Sequence, residues 1–262
     1  MKKHIIILIS LLSADTMQPL SLKSLYAPFT TEQEEEIISK EYEVNPDCAI
    51  TLDALDDDII VKSWNHNKIM LEAKKVGPLE ELRETAIHTK IQPHQVTIST
   101  HSKYKSNTVR VRYTLIVPHK AHLIVKNHKG SIKIKNIKGP VNAFAHDGPI
   151  IIQEASNTVV AKSPNNTVTV KQQTLPTTAS IFIEAGRGAQ FHASRNMNAH
   201  IHAKTLNGVV TSQIYLTLDP LSTQLNKDAW ARMKKDVKAT LGSGGAPITI
   251  DVTKGDIEIL EY

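Results

Sequence analysis

Apolar and polar residues alternate with a period of two along most of the chain, and a small or turn-forming residue interrupts the alternation at regular intervals. Aligned on those residues (Asp57, Gly130, Gly148, Asn166, Gly188, Gly208 and Gly255), the chain shows a recurring unit. Seven positions before each stand Ile50, Leu123, Val141, Val159, Ile181, Ile201 and Ile248; five before stand Leu52, Val125, Ala143, Ala161, Ile183, Ala203 and Ile250. Two after come Ile59, Ile132, Ile150, Val168, Gln190, Val210 and Ile257; four after come Val61, Ile134, Ile152, Val170, His192, Ser212 and Ile259. Of these 28 slots 25 are apolar, where the overall 40% gives about 11. Three before each anchor the residues are mostly small: Ala54, Asn127, Ala145, Ser163, Ala185 and Thr205, with Val252 larger. Alternation on both sides of a turn predicts two short strands per unit, each burying one face. Gly, Asn or Asp at the turn fits a positive φ. Around Gly188, Gln190 and His192 fall in apolar slots, and Phe191 between them points to a one-residue slip.

Spacings of 18, 18, 22 and 20 residues between Gly130 and Gly208 suit one unit per layer of a stack. The expected fold is therefore all-β: a single-domain β-solenoid over residues 41–262, whose coils bury apolar rows against their neighbours. Asn207-Gly208 and Asp147-Gly148 are also good two-residue hairpin turns, so an antiparallel β meander or sandwich is the alternative. Two insertions interrupt the array. The first holds the strand-like Ile69, Leu71 and Ala73, a short helix from Pro78 to Ile87, and the extended runs VTIST and VRVRYTLIVP. In the second, Asp219 as cap and Pro220 at the first position predict a helix over about 219–241.

The first residues follow a different pattern. Lys2 and Lys3 precede an apolar run from Ile5 to Leu12 and the small residues Ser13 and Ala14. That is the order of a secretory signal peptide over 1–14, too short for the ~20 apolar residues of a membrane span. Residues 15–40 show no strand pattern and read as a linker, or as a short helix opened by the acidic stretch Glu34-Glu35-Glu36.

The runs LIVPHKAHLIVKNHKGSIKI (115–134), VNAFAHDGPIIIQ (141–153), IHAKTLNGVVTS (201–212) and ITIDVTKGDIEILE (248–261), with ITLDALDDDIIVKSW (50–64) ahead of them, carry a resemblance. Over about residues 41–262 the chain resembles the bacterial putative-adhesin family, a domain of unknown function, though Asp57 replaces the usual Gly. The resemblance implies a β-helix-like solenoid in exported or envelope-associated proteins. It brings no catalytic residues with it.

Composition narrows the chemistry. Net charge is +5, and about +3 without Lys2 and Lys3, too weak and scattered for nucleic acid. The single Cys48 allows no intramolecular disulfide and no paired-Cys zinc site. It is expected to be a buried thiol. No nucleophile elbow, phosphate loop or HExxH is present, and no cofactor is implied. Asp56-Asp57-Asp58 could be offered to calcium, but consecutive acids on a strand turn alternate faces and are read as a solvated turn. Among twelve histidines, His119 and His122 flank a strand start, and His200 and His202 share a face. His128 and His146 occupy the same slot two before their anchors. In a stack they lie about 4.8 Å apart, which makes them the metal candidates, for Zn²⁺ or Cu²⁺. The outward slots Lys133, Lys135, Asn142, His146, Thr167, Thr169 and Lys171 are polar and varied. The expected function is a non-enzymatic exported envelope or surface protein that binds a surface polymer or protein. A polysaccharide-active β-helix enzyme and a ligand-free structural spacer are the alternatives.

Overall fold

The computed structural model describes residues 33–103, 108–218 and 235–262. Strands β1 (Glu34–Glu43), β2 (Ala49–Asp56), β3 (Ile59–Trp64) and β4 (Lys68–Gly77), helix α1 (Leu79–Glu84), and strands β5 (Thr85–Gln92), β6 (Gln95–Ser102) and β7 (Arg110–Pro118) come first. Pairs follow: β8 (His122–Lys129) with β9 (Ile132–Lys135), β10 (Val141–Asp147) with β11 (Ile150–Gln153), β12 (Val159–Ser163) with β13 (Thr167–Gln172), β14 (Ile181–Ala185) with β15 (Gly188–Ala193), and β16 (Ala199–Asn207) with β17 (Val210–Ser212). The chain ends with β18 (Thr217–Leu218), β19 (Asp236–Leu241), β20 (Ala246–Lys254) and β21 (Ile257–Glu261).

The two strands of each unit do not pair with each other. One joins an eleven-stranded sheet and the other a ten-stranded sheet, and each pairs in parallel with its equivalents in neighbouring units. The eleven-stranded sheet carries the parallel run β6-β2-β8-β10-β12-β14-β20-β16, and the ten-stranded sheet carries β7-β3-β9-β11-β13-β15-β21-β17. Register follows the sequence columns. Ile98, Leu52, Val125, Ala143, Ala161, Ile183, Ile250 and Ala203 form one inward row, none more than 1% exposed. Across the core, Leu115, Val61, Ile134, Ile152, Val170, Phe191 and Ile259 form another, and both rows belong to one apolar cluster. Two large mixed sheets facing across a shared core fit the sandwich or meander alternative. Antiparallel pairing lies at the ends: β1 on β4, β4 on β7, β5 on β6, β19 on β16 and β18 on β19.

Turn residues serve two purposes, where the sequence suggested one. Asp57, Gly130 and Gly255 are left-handed, with φ of 83°, 105° and 98°. Gly148 and Gly208 are not; there the limit is the approach of one layer to the next. A Cβ on Gly148 would fall on the carbonyl oxygen of Gly130, and one on Gly208 on that of Gly255. The small inward residues complete the corner. Asn127 Nδ2 donates to the Asp57 carbonyl, Ser163 Oγ to that of Gly148, and Thr205 Oγ1 to that of Gly255, each at 2.8 Å. The side chain of one layer thereby satisfies a backbone acceptor of the layer beneath.

Stacking order departs from sequence order at both ends. The last unit, β20 and β21, sits between the units of β14-β15 and β16-β17. Near the other end β6 and β7 lie outside β2 and β3, though they follow them in the chain. The slip near Gly188 is real: the turn there is one residue shorter, so Ala189 and Phe191 pair with Val168 and Val170 and Gln190 is exposed.

Other expectations need correction. The acidic stretch expected in a linker or helix forms β1, held against β4 by Lys74–Glu35 (2.7 Å), Lys75–Glu36 (2.6 Å) and Lys68–Glu41 (2.7 Å). Strand structure therefore begins upstream of residue 41. The Pro78–Ile87 helix is shortened to Leu79–Glu84, because Thr85 onward pairs with β6. Of the helix expected over 219–241, residues 219–234 lie outside the described residues and Asp236–Leu241 is strand. The 1–14 signal also lies outside them.

Candidate binding surface

The parallel register that buries one set of residues aligns the other set on the outer faces. His128 and His146 are adjacent as expected, their rings stacked with centroids 5.0 Å apart and 28° between planes. The Asp147 carboxylate lies 3.1 Å from His146 Nδ1 and accepts a 2.9 Å hydrogen bond from Asn165. The His146 contact, then Asn165, hold the Asp147 carboxyl below its usual range. No group of three His, Cys, Asp or Glu converges as a metal site among the described residues.

The remaining candidates are engaged locally. Asp56 and Asp57 each accept the backbone N–H of the next residue, and Asp57 also meets Arg112 at 3.2 Å. Asp58 accepts Ser131 N–H at 2.9 Å and its hydroxyl at 2.7 Å. Burial alone would raise its carboxyl; the Ser131 bonds, with Lys133 and Arg112 nearby, hold it below 3.8 instead. The three carboxylates serve different partners and do not converge. Cys48 is fully buried, and burial with the Asp47 charge pushes its thiol up to about 11, unsuited to a nucleophile. His202 meets Asp236 at 2.8 Å and His200 meets Thr240 at 3.3 Å. His119 lies 2.6 Å from Ser63 Oγ, which donates to the Asn136 carbonyl. The Ser63 hydroxyl is thus engaged by a backbone carbonyl as well as by the imidazole.

Charge of one sign gathers on the outer face of the ten-stranded sheet. Lys62, Lys135, Gln153, Lys171 and His192 stand in one row on β3, β9, β11, β13 and β15. Lys133 stands beside the row, between Ile60 and Ile151. A shallow groove of about 320 Å³ is lined by Ile60, Lys62, Lys133, Lys135, Ile151 and Gln153. Lys135 reaches Glu154 at 3.9 Å. Burial, with the Lys171 charge adding to it, lowers the pKa of His192 below 6.5. The sequence pointed to Lys133, Lys135 and Lys171 as outward residues but missed Lys62, Gln153 and His192. The missed signal was the slot five after each anchor, which reads Lys62, Lys135, Gln153 and Lys171 in order.

The chain is similar in structure to chains named as putative adhesins. A putative cell adhesion protein from Clostridium sporogenes aligns at 14% identity and a TM-score of 0.48, covering 88% of this chain and 100% of that one. A putative adhesin from Bacteroides fragilis aligns at 12% identity and a TM-score of 0.36, covering 87% and 97%. A putative lipid binding protein from Parabacteroides distasonis aligns at 11% identity and a TM-score of 0.30, covering 86% and 97%. No family model and no curated protein matches the sequence. No described helix is long and apolar enough to cross a membrane.

Proposed function

We propose that the chain is a non-enzymatic, exported envelope or surface protein, built as a β-solenoid, that binds an extended surface polymer or protein along an outer face. The observation that carries this reading is the register: outward residues recur at a fixed spacing of about 4.8 Å, a geometry that suits a long partner better than a compact one. The local engagement of the acids and of Ser63 supports it over the polysaccharide-active enzyme, which needs two convergent carboxylates. The test is a pull-down of the chain against envelope fractions and a glycan array, run beside a reducing-end release assay. Retention without sugar release is expected. Release abolished by replacing one acidic residue overturns the binding module, and silence in every assay leaves the spacer. Export is checked by intact mass from the native host: loss of about residues 1–14 is expected, and a retained Met1 in the cytosolic fraction refutes it.

A further inference from the structure

Resting on that reading, we infer that the outer face of the ten-stranded sheet takes a linear polyanion, whose carboxylate or phosphate groups lie along the Lys62–His192 row. The row spans five successive layers, about 19 Å at the strand spacing; its lysine and glutamine members carry N–H groups that can face an anion, while His192 Nδ1 faces the Glu261 carbonyl at 3.4 Å. Lys133 broadens it over the groove. Lys62, Lys133 and Lys171 have no ion pair among the described residues, and Lys135 has only the long contact to Glu154. The row is also bounded. On one side it runs through Ile116 and Met70 to Glu41; on the other, Leu260 follows His192, with Glu258 and Glu261 on the same strand. The opposite outer face shows the contrast. Its row reads Asp53, Lys126, Phe144, Lys162, Glu184, Asp251 and Lys204, and Lys162 pairs with Glu184 at 3.1 Å. Its charges are of both signs; those of the lysine row are of one.

A single row along the stack fits a chain better than a plane of lipid headgroups. Ile60 and Ile151 are only partly exposed between the lysines, so the groove itself offers no protruding apolar side chain to enter a bilayer. Ammonium groups on flexible stems accept carboxylate and phosphate alike.

The experiment measures binding of the full chain to polygalacturonate, polyphosphate, neutral dextran and phosphatidylglycerol vesicles. Polygalacturonate or polyphosphate binding is expected, with none to dextran. Raising salt from 50 to 200 mM should weaken it by roughly one to two orders of magnitude, as for about four neutralised anions. The triple variant Lys62→Gln/Lys135→Gln/Lys171→Gln should bind at least about tenfold more weakly with a shallower salt dependence. Lys126→Gln/Lys162→Gln/Lys204→Gln on the opposite face should bind like the parent. Equal melting of both variants excludes misfolding. Polyanion binding that the first variant leaves intact overturns this site. Retention by envelope fractions or the glycan array without polyanion binding overturns the inference and leaves the binding module standing. Vesicle binding alone makes the partner a membrane and overturns the polymer. No binding in any assay removes both.

Discussion

Val125 shows how little room a single layer leaves. It is 1% exposed, with Leu52 and Ala143 beside it at the same register position in the adjacent layers. Val125→Asp would place a charge in a dry row with no partner, and should cost about 3 kcal/mol or more, read as a lower denaturation midpoint with an unchanged slope. A variant that melts like the parent would mean the row is wrongly drawn. Asp58 gives a pH prediction. Its pKa is held below the ordinary 3.8 in the fold, so its contribution to stability is complete above that value and is lost as pH falls through the lowered one. Asp58→Asn should therefore flatten the acid limb of the stability profile, while stability at neutral pH falls modestly. The inward columns were legible because burial imposes the period of two. The layer-to-layer hydrogen bonds of Asn127, Ser163 and Thr205 were visible only as a preference for small residues, since their acceptors lie on other units.

At the level of elements, Lys75 ties together parts that the sequence kept apart. Its buried ammonium donates to the Leu82 carbonyl at 2.9 Å and the Thr85 carbonyl at 3.0 Å, and pairs with Glu36 at 2.6 Å. It thus joins β4 to the end of α1 and to β1. Lys75→Met would take a donor from the Thr85 carbonyl and from the half-exposed Glu36 carboxylate, while the Thr85 N–H still serves the Leu82 carbonyl, a loss of about 1–3 kcal/mol. Hydrogen exchange should rise first in β1 and α1; a uniform rise across the stack would argue against this local role. The same contact explains why β1 was unreadable. Three consecutive glutamates are poor strand formers, and only the lysines of β4 make an acidic edge favourable there. Charge on an edge strand also discourages pairing with another chain. The strand at Asp236–Leu241 was missed because its pairing with β16 is antiparallel and nonlocal, although Val237, Ala239 and Leu241 alternate as strand residues do.

Across the whole molecule, the displaced last unit sets the order of assembly. Strands β20 and β21 lie inside the stack although they follow β16 and β17 in the chain, so β14 and β16 wait for a partner that arrives about 40 residues after β16. A solenoid with units in sequence order could add layers one by one as the chain leaves the ribosome. Here, closure at this end has to wait until residues 246–261 have emerged, and the contacts that complete it are long in sequence and slow to form. A chain stopped before Ala246 should not behave as a stack shortened by one layer. It should expose four unsatisfied strand edges in its interior, on β14 and β16 in one sheet and β15 and β17 in the other, bind dyes that report open apolar surface, and aggregate. If the chain is exported as proposed, late closure holds this end open for passage through a narrow channel.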